Sequence, residues 1–153
     1  MIATIRVRGT VNVTREIKRT LELLRLFRPN HLMLLKEENT GLKMVEKSKD
    51  FVTYGKINDE TLAILLEKRG RLEGNKKLGK EFLKEKGFAD FSAFAEAIMS
   101  GQKTLKELGV KPVFRLHPPR KGYERGGIKK PYSLGGALGN RNEKINELIK
   151  SMV

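Results

Sequence analysis

Cysteine is absent from this 153-residue chain, which excludes disulfides and thiolate-held zinc and fits a reducing compartment such as the cytoplasm. Long apolar runs are missing too, since no stretch approaches the roughly 18 to 20 residues that a membrane-spanning helix needs. Met1 to Arg8 alternates apolar and polar side chains and shows no charged head before a greasy stretch, so it does not read as a secretory signal. Acidic charge is scarce: 18 Asp and Glu stand against 32 Lys and Arg, for a net charge of +14. Such an excess repels itself in isolation and calls for a polyanionic partner. Nucleic acid is the commonest such partner. An anionic membrane surface is the alternative, and the lack of a spanning run or signal argues for no membrane.

Groups with catalytic potential are equally sparse. His31 and His117 have no carboxylate or hydroxyl at a spacing that suggests a triad. Glu37 and Glu38 are adjacent, so on a strand they point to opposite faces and cannot share a metal. Gly135-Gly136-Ala137-Leu138-Gly139 superficially resembles a nucleotide loop but lacks the preceding strand and the Lys-Ser/Thr that would hold phosphate and magnesium. The reading is therefore non-enzymatic, with no catalytic residue, cofactor, metal or small-molecule substrate.

What is present is a foldable core, with 39% hydrophobic residues. Ile2 to Arg8 has a period of two, placing Ala3, Ile5 and Val7 on one face and Thr4, Arg6 and Arg8 on the other. Thr14 caps an expected helix to about Phe27, with Ile17, Leu21, Leu24 and Phe27 near helical spacing and Pro29 as its stop. His31 to Lys36 and Phe51 to Ile57 read as strands, with a short helix between them over Thr40 to Lys49. This β-α-β-α-β order predicts an α+β sandwich whose two helices cover the Ala3, Ile5 and Val7 face, with Arg6 and Arg8 emerging on the other. Residues 58–110 read as four brief helices with glycine stops. Lys111 to Asn140 is rich in Gly and Pro and carries one expected strand from Val113 to Leu116; a final helix then presents Ile145, Leu148, Ile149 and Met152 on one stripe.

The Gly/Pro-rich arm is the most informative stretch. Backbone N–H groups of a glycine-rich chain approach phosphate closely, arginine grips it with a planar fork, and lysine adds point charge. Arg115, Arg120, Lys121, Arg125, Lys129 and Lys130 are the candidates there, with Tyr123 and Tyr132 placed to stack on unpaired bases. Arg6 and Arg8 on the first strand, and Arg69, Arg71, Lys76 and Lys77 around a helix end, join them as candidate RNA contacts. The bland reading of these groups is a solvated face or a mobile loop, and at a helix C-terminus a cation has a dipole rationale of its own. The arm's low apolar content leads to the expectation that it orders only on its partner.

Taken in order, Ile5-Arg6-Val7-Arg8-Gly9, Leu21-Glu22-Leu23-Leu24-Arg25-Leu26, Tyr54-Gly55 with Asn58, Leu66-Glu67-Lys68-Arg69-Gly70, Phe114-Arg115-Leu116, Pro119-Arg120, Gly135-Gly136, and Gly139-Asn140-Arg141 with Ile145-Asn146 and Leu148-Ile149 span nearly the whole chain. Together they resemble the large-subunit ribosomal protein L-thirty family, in its archaeal form, similar to the eukaryotic L-seven protein. The resemblance implies a three-stranded antiparallel sheet with two helices, a truncated ferredoxin-like fold over residues 1–57, followed by a helical subdomain over 58–110 and a basic arm with a C-terminal helix over 111–153. It implies a structural role in the large ribosomal subunit in support of translation. The expected partners are large-subunit ribosomal RNA, with the small 5S-type RNA a further candidate, and neighbouring ribosomal proteins. Asn140 and Arg141 complete the expected RNA contacts. The alternative reading is a non-ribosomal RNA chaperone or an accessory subunit of an RNA-modifying complex.

Overall fold

The computed structural model describes residues 1–101 and 103–153. Its first half follows the alternating pattern: β1 (Ile2–Arg6), α1 (Arg15–Leu23), β2 (His31–Leu35), α2 (Asn39–Lys47) and β3 (Val52–Lys56). Then come α3 (Asp59–Arg69), α4 (Lys80–Glu85), α5 (Phe91–Met99), β4 (Val113–Arg115), β5 (Gly139–Asn140) and α6 (Ile145–Met152). The expected antiparallel trio is present, with β1 between β2 and β3. The sheet nevertheless has five strands, in the order β4-β2-β1-β3-β5. β4 adds antiparallel to β2, and β5 adds parallel to β3. Both extra strands come from beyond residue 110. β4 was legible as Val113 to Leu116, whereas a two-residue strand of Gly139 and Asn140 has no hydrophobic alternation to read.

The side-chain period of two decides what each face buries. Ala3 and Ile5 pair with Leu34 and Leu32, and this face packs on Leu62, Leu65, Phe94, Ile98, Ile145 and Ile149 of α3, α5 and α6. Thr4 and Arg6 share the other face with Met33 and Val52, beneath Leu21 and Val45 of α1 and α2. The alternation of β1 predicts α1 and α2 on the Ala3 and Ile5 face, with Arg6 emerging on the opposite one. The structure corrects both points, because the helices of 58–110 and α6 take that face and leave α1 and α2 the opposite one. β1 is buried throughout. Ala3, Leu62, Phe114 and Ile149 lie in one cluster, so residues 1–57, 58–110 and 111–153 share a core. Full burial of one such side chain, Phe114, contributes about 1.5 to 3 kcal/mol.

The end of α1 also departs from the spacing. The helix stops at Leu23, and Arg25 adopts a left-handed φ of 56°. The Leu26 N–H donates to the Leu21 carbonyl at 2.8 Å and the Arg25 N–H to Glu22 at 2.9 Å, a Schellman closure in which a residue other than glycine takes the left-handed position. That turn brings Leu26 into the core and sends Phe27 out, 54% exposed. Thr14 and Asp90 stand at the N-cap positions of α1 and α5 without the side-chain cap bond their sequence positions predict, whereas Asn58 makes its bond. The Thr61 N–H donates to the Asn58 side chain at 3.0 Å to open α3. Thr104 and Glu107 form their reciprocal box but lead into a turn that buries Leu105 and Leu108, with no helix following.

The Gly/Pro-rich stretch is folded back on the sheet, contrary to the expectation that it orders only on a partner. Ala137 and Leu138 are buried with Val7, and backbone bonds such as Gly126 N–H to Gly135 O and Leu138 N–H to Lys130 O close the loop on itself. Gly136 fits because a Cβ there would lie 2.2 Å from the Lys130 carbonyl oxygen.

Candidate nucleic-acid interface

Strand register sorts the charges. β1 ends where β2 and β3 begin and β4 ends, as the pairs Ile5 with Leu32, Arg6 with Val52, and His31 with Arg115 require. Arg8, Arg28 and Arg115 therefore gather at one end of the sheet, and the arm leaves from there, with the Leu116 N–H donating to the Asn30 carbonyl. α3 starts beyond the far end of β3 and runs back, so its last turn, Lys68 and Arg69, returns toward this end. The far end carries the N-terminal ammonium of Met1 on Glu37 at 3.1 Å, with Lys56 close by in register.

Two of the expected RNA contacts are internal. Arg6 is 3% exposed, and its guanidinium donates to the carbonyls of Arg8 (2.9 Å), Leu26 (2.7 Å), Phe27 (3.1 Å) and Gly9 (2.9 Å). Burial lowers its pKa from the ordinary arginine value, and four of its five N–H donors are committed to these carbonyls. Arg141, also 3% exposed, grips Glu124 with both arms of its fork and donates through Nε to Thr53 Oγ1 at 2.8 Å and through Nη2 to the Ala137 carbonyl at 3.2 Å. It also lies over the Tyr132 ring at 4.6 Å, which covers one face of that ring. Burial alone would raise the Glu124 carboxyl, but hydrogen bonds from Arg141 and from backbone, with the Arg141 charge, hold it below the usual range. Tyr123 is half-buried and its hydroxyl donates to Asn30 Oδ1 at 3.2 Å. Asn140 is exposed but accepts from the Asn142 N–H at 2.9 Å, a turn-forming role. Arg6, Arg141 and Tyr123 are thus held by the framework, a correction to their expected place on the RNA, while Tyr132 keeps one face of its ring for Arg141.

The remaining cations stay outside. Arg120, Lys121, Arg125, Lys129 and Lys130 are exposed along the arm. Its base is pinned to α6 by the Arg120 N–H donating to Ser151 O and the His117 N–H to Met152 O. Arg8 is half-buried, stacked over Phe51 at 4.9 Å and donating to the Asp50 carbonyl at 3.2 Å. Lys76 and Lys77 are exposed in a tight turn.

Arg69, Arg71 and Arg115 converge on a cleft of 310 Å³ at the β4 edge, completed by Lys111, Asn75, Val113, Phe27 and His31. The sequence reading missed Phe27 and Lys111, because helical spacing assigned Phe27 to the core and Lys111 stood only as a boundary. Burial, then the charges of Arg115, Arg28 and Arg6, lower the His31 pKa, partly opposed by the Arg25 carbonyl. At neutral pH the imidazole is accordingly neutral, with one donor and one acceptor. No helix among the described residues is long and apolar enough to cross a membrane.

Known proteins match this chain closely. The family model described as ribosomal protein L30p/L7e covers residues 2–52, from β1 through α2 to the first residue of β3. A large ribosomal subunit protein uL30 from Methanococcus vannielii is 52% identical over 151 residues, 99% of this chain and 98% of the relative. One from Nanoarchaeum equitans is 52% identical over 149 residues, 97% and 96% of the two chains. One from Methanococcus maripaludis is 48% identical over 151 residues, 99% and 98% of the two chains. With identity of this degree running through the sheet, the helical stretch and the arm, the chain belongs to the ribosomal protein L30p/L7e family.

Proposed function

We propose that this chain is a structural, non-catalytic constituent of the large ribosomal subunit that binds large-subunit ribosomal RNA through the cationic end of its sheet. The observation that carries the reading is the full-length likeness to proteins named as large-subunit components, joined to a net charge of +14. The contacts we assign are Arg8, Arg69, Arg71, Lys76, Lys77 and Arg115 around the cleft, with Arg120, Lys121, Arg125, Lys129 and Lys130 on the arm. Arg6 and Arg141 hold the loops that carry them. Such a surface supplies position and counter-charge, the sequence-independent part of RNA recognition. Residues 1–57 and 58–110 act as a braced platform and 111–153 as its basic extension. Neighbouring ribosomal proteins are further partners, and the small 5S-type RNA is within the same chemistry.

Sucrose-gradient sedimentation tests this. A tagged chain replacing its counterpart in an archaeal relative is expected to stay with large subunits after a high-salt wash. A variant with Arg120, Lys121, Arg125, Lys129 and Lys130 changed to alanine is expected to wash off. The chain running free at the top of the gradient would refute the reading. Footprinting of both RNAs on the assembled subunit reports whether the small 5S-type RNA is touched.

A further inference from the structure

We infer that the cleft at the β4 edge receives one unstacked RNA nucleotide, its base lying on Phe27 and its phosphate held among Arg69, Arg71 and Arg115. This deepens the proposed function and rests on it. Phosphate contacts alone need only exposed cations, and the arm provides them. The β4 edge is different: a concavity of 310 Å³ whose walls combine cations from α3, the following turn and β4 with an aromatic ring. That volume lies at the lower end for small-ligand sites, so it suits a single nucleotide and not the edge of a duplex.

Three features point the same way. Phe27 is 54% exposed, turned outward by a helix closure that sets Arg25 in the left-handed region. A large aromatic left open beside cations is a stacking platform, and unpaired RNA bases are recognised by such stacking. Second, His31 Nδ1 and Arg69 Nε are buried atoms without a hydrogen-bond partner among the described residues, and both residues line the cleft. Unpaired polar atoms of this kind are costly, and a rotation of either side chain would turn them to a ligand group in the cleft. Third, the Arg69 guanidinium is held in place at its other end by donating through Nη2 to the Val153 carbonyl at 3.0 Å, so the cation is positioned before anything binds. A base on Phe27 would lie beside the His31 imidazole.

The chain contains no tryptophan, so Phe27→Trp installs a single reporter in the cleft. The full-length variant, excited beyond the tyrosine band, is titrated with purified large-subunit RNA while filter binding measures affinity in parallel. Stacking predicts strong quenching that saturates with binding. Phe27→Leu, which keeps apolar area and loses the π face, is expected to bind about five- to 150-fold more weakly. Its melting point should match the parent, because the side chain is largely exposed. Binding by filter without quenching, or unaltered affinity in Phe27→Leu, overturns the nucleotide site and leaves the proposed function standing. Binding by neither method overturns both. Nucleoside monophosphates are expected to quench only weakly, since they lack the flanking phosphates that the arm would hold. Saturation by them at concentrations comparable to RNA nucleotides would reassign the cleft to a soluble ligand and overturn the inference.

Discussion

Replacing Arg141 with lysine preserves charge and removes the planar fork, and so separates a framework role from a phosphate contact. The guanidinium satisfies Thr53 Oγ1, the Ala137 carbonyl and both Glu124 oxygens while covering Tyr132. A lysine ammonium on a similar stem can hold Glu124 but not the rest. Removing two hydrogen bonds at about 1 kcal/mol each, and weakening a cation–π interaction by roughly 0.5 kcal/mol, destabilises the fold by about 2 to 3 kcal/mol. The Glu124 pair itself adds little to this sum, because that carboxylate is 30% exposed and screened by solvent. At about 2 to 4 °C per kcal/mol for a chain of this size, the melting midpoint should fall by roughly 4 to 12 °C. Circular dichroism melts of the purified chain measure it, and a double-mutant cycle with Glu124→Gln should return a coupling below about 1 kcal/mol, because lysine keeps that screened pair. A midpoint within about a degree of the parent, with RNA affinity reduced instead, would refute the assignment of Arg141 to the framework.

Arg6→Met should likewise show as instability, about 3 kcal/mol in urea unfolding, because four buried or part-buried carbonyls lose a charged side-chain donor; unchanged stability with weakened RNA binding would return Arg6 to the interface. RNA affinity should drop steeply with salt, and changing Arg120, Lys121, Arg125, Lys129 and Lys130 to alanine should flatten the log–log slope by about 0.7 to 0.9 for each phosphate no longer neutralised; an unaltered slope would remove the arm from the RNA-facing surface. Acid should destabilise the fold in two stages. The His31 pKa is lowered in the folded chain, so the unfolded chain takes its proton first, and stability falls as pH drops from just above 6.5 toward the lower folded value. Glu124 is held below the ordinary carboxylate range, so its contribution is present above that range and lost as pH falls through the folded value. His31→Gln should abolish the upper stage in pH-dependent melts; Glu124→Gln should only diminish the lower, because the Met1 ammonium hydrogen bond to Glu37 and the Thr104 backbone hydrogen bond to Glu107 lower those carboxyls too.

The limits of sequence legibility follow from where information of each kind resides. Alternation in β1 and the stripe of α6 were readable because a period of two or 3.6 survives in the chain itself. Which helices cover which face of the sheet was not, because Ala3 and Ile5 suit α1 and α2 as well as α3, α5 and α6, and only the path of the later chain decides. The same holds for the arginines. Arg6 and Arg141 sit among neighbours that would suit a phosphate contact, yet beside their local carbonyl partners each is held by carbonyl, hydroxyl or carboxylate groups that arrive from 17 to 88 positions away. Phe27 erred in the opposite direction: helical spacing put it inside, and a left-handed Arg25, without the glycine that normally announces such a turn, put it outside. Net charge therefore identifies a polyanion as partner but overstates the number of cations that can meet it. Arg6 and Arg141, among the thirty-two, are internal, and their carbonyl and carboxylate partners are what fix the geometry of those that remain exposed. Any RNA that binds must consequently read a platform whose shape was set before it arrived.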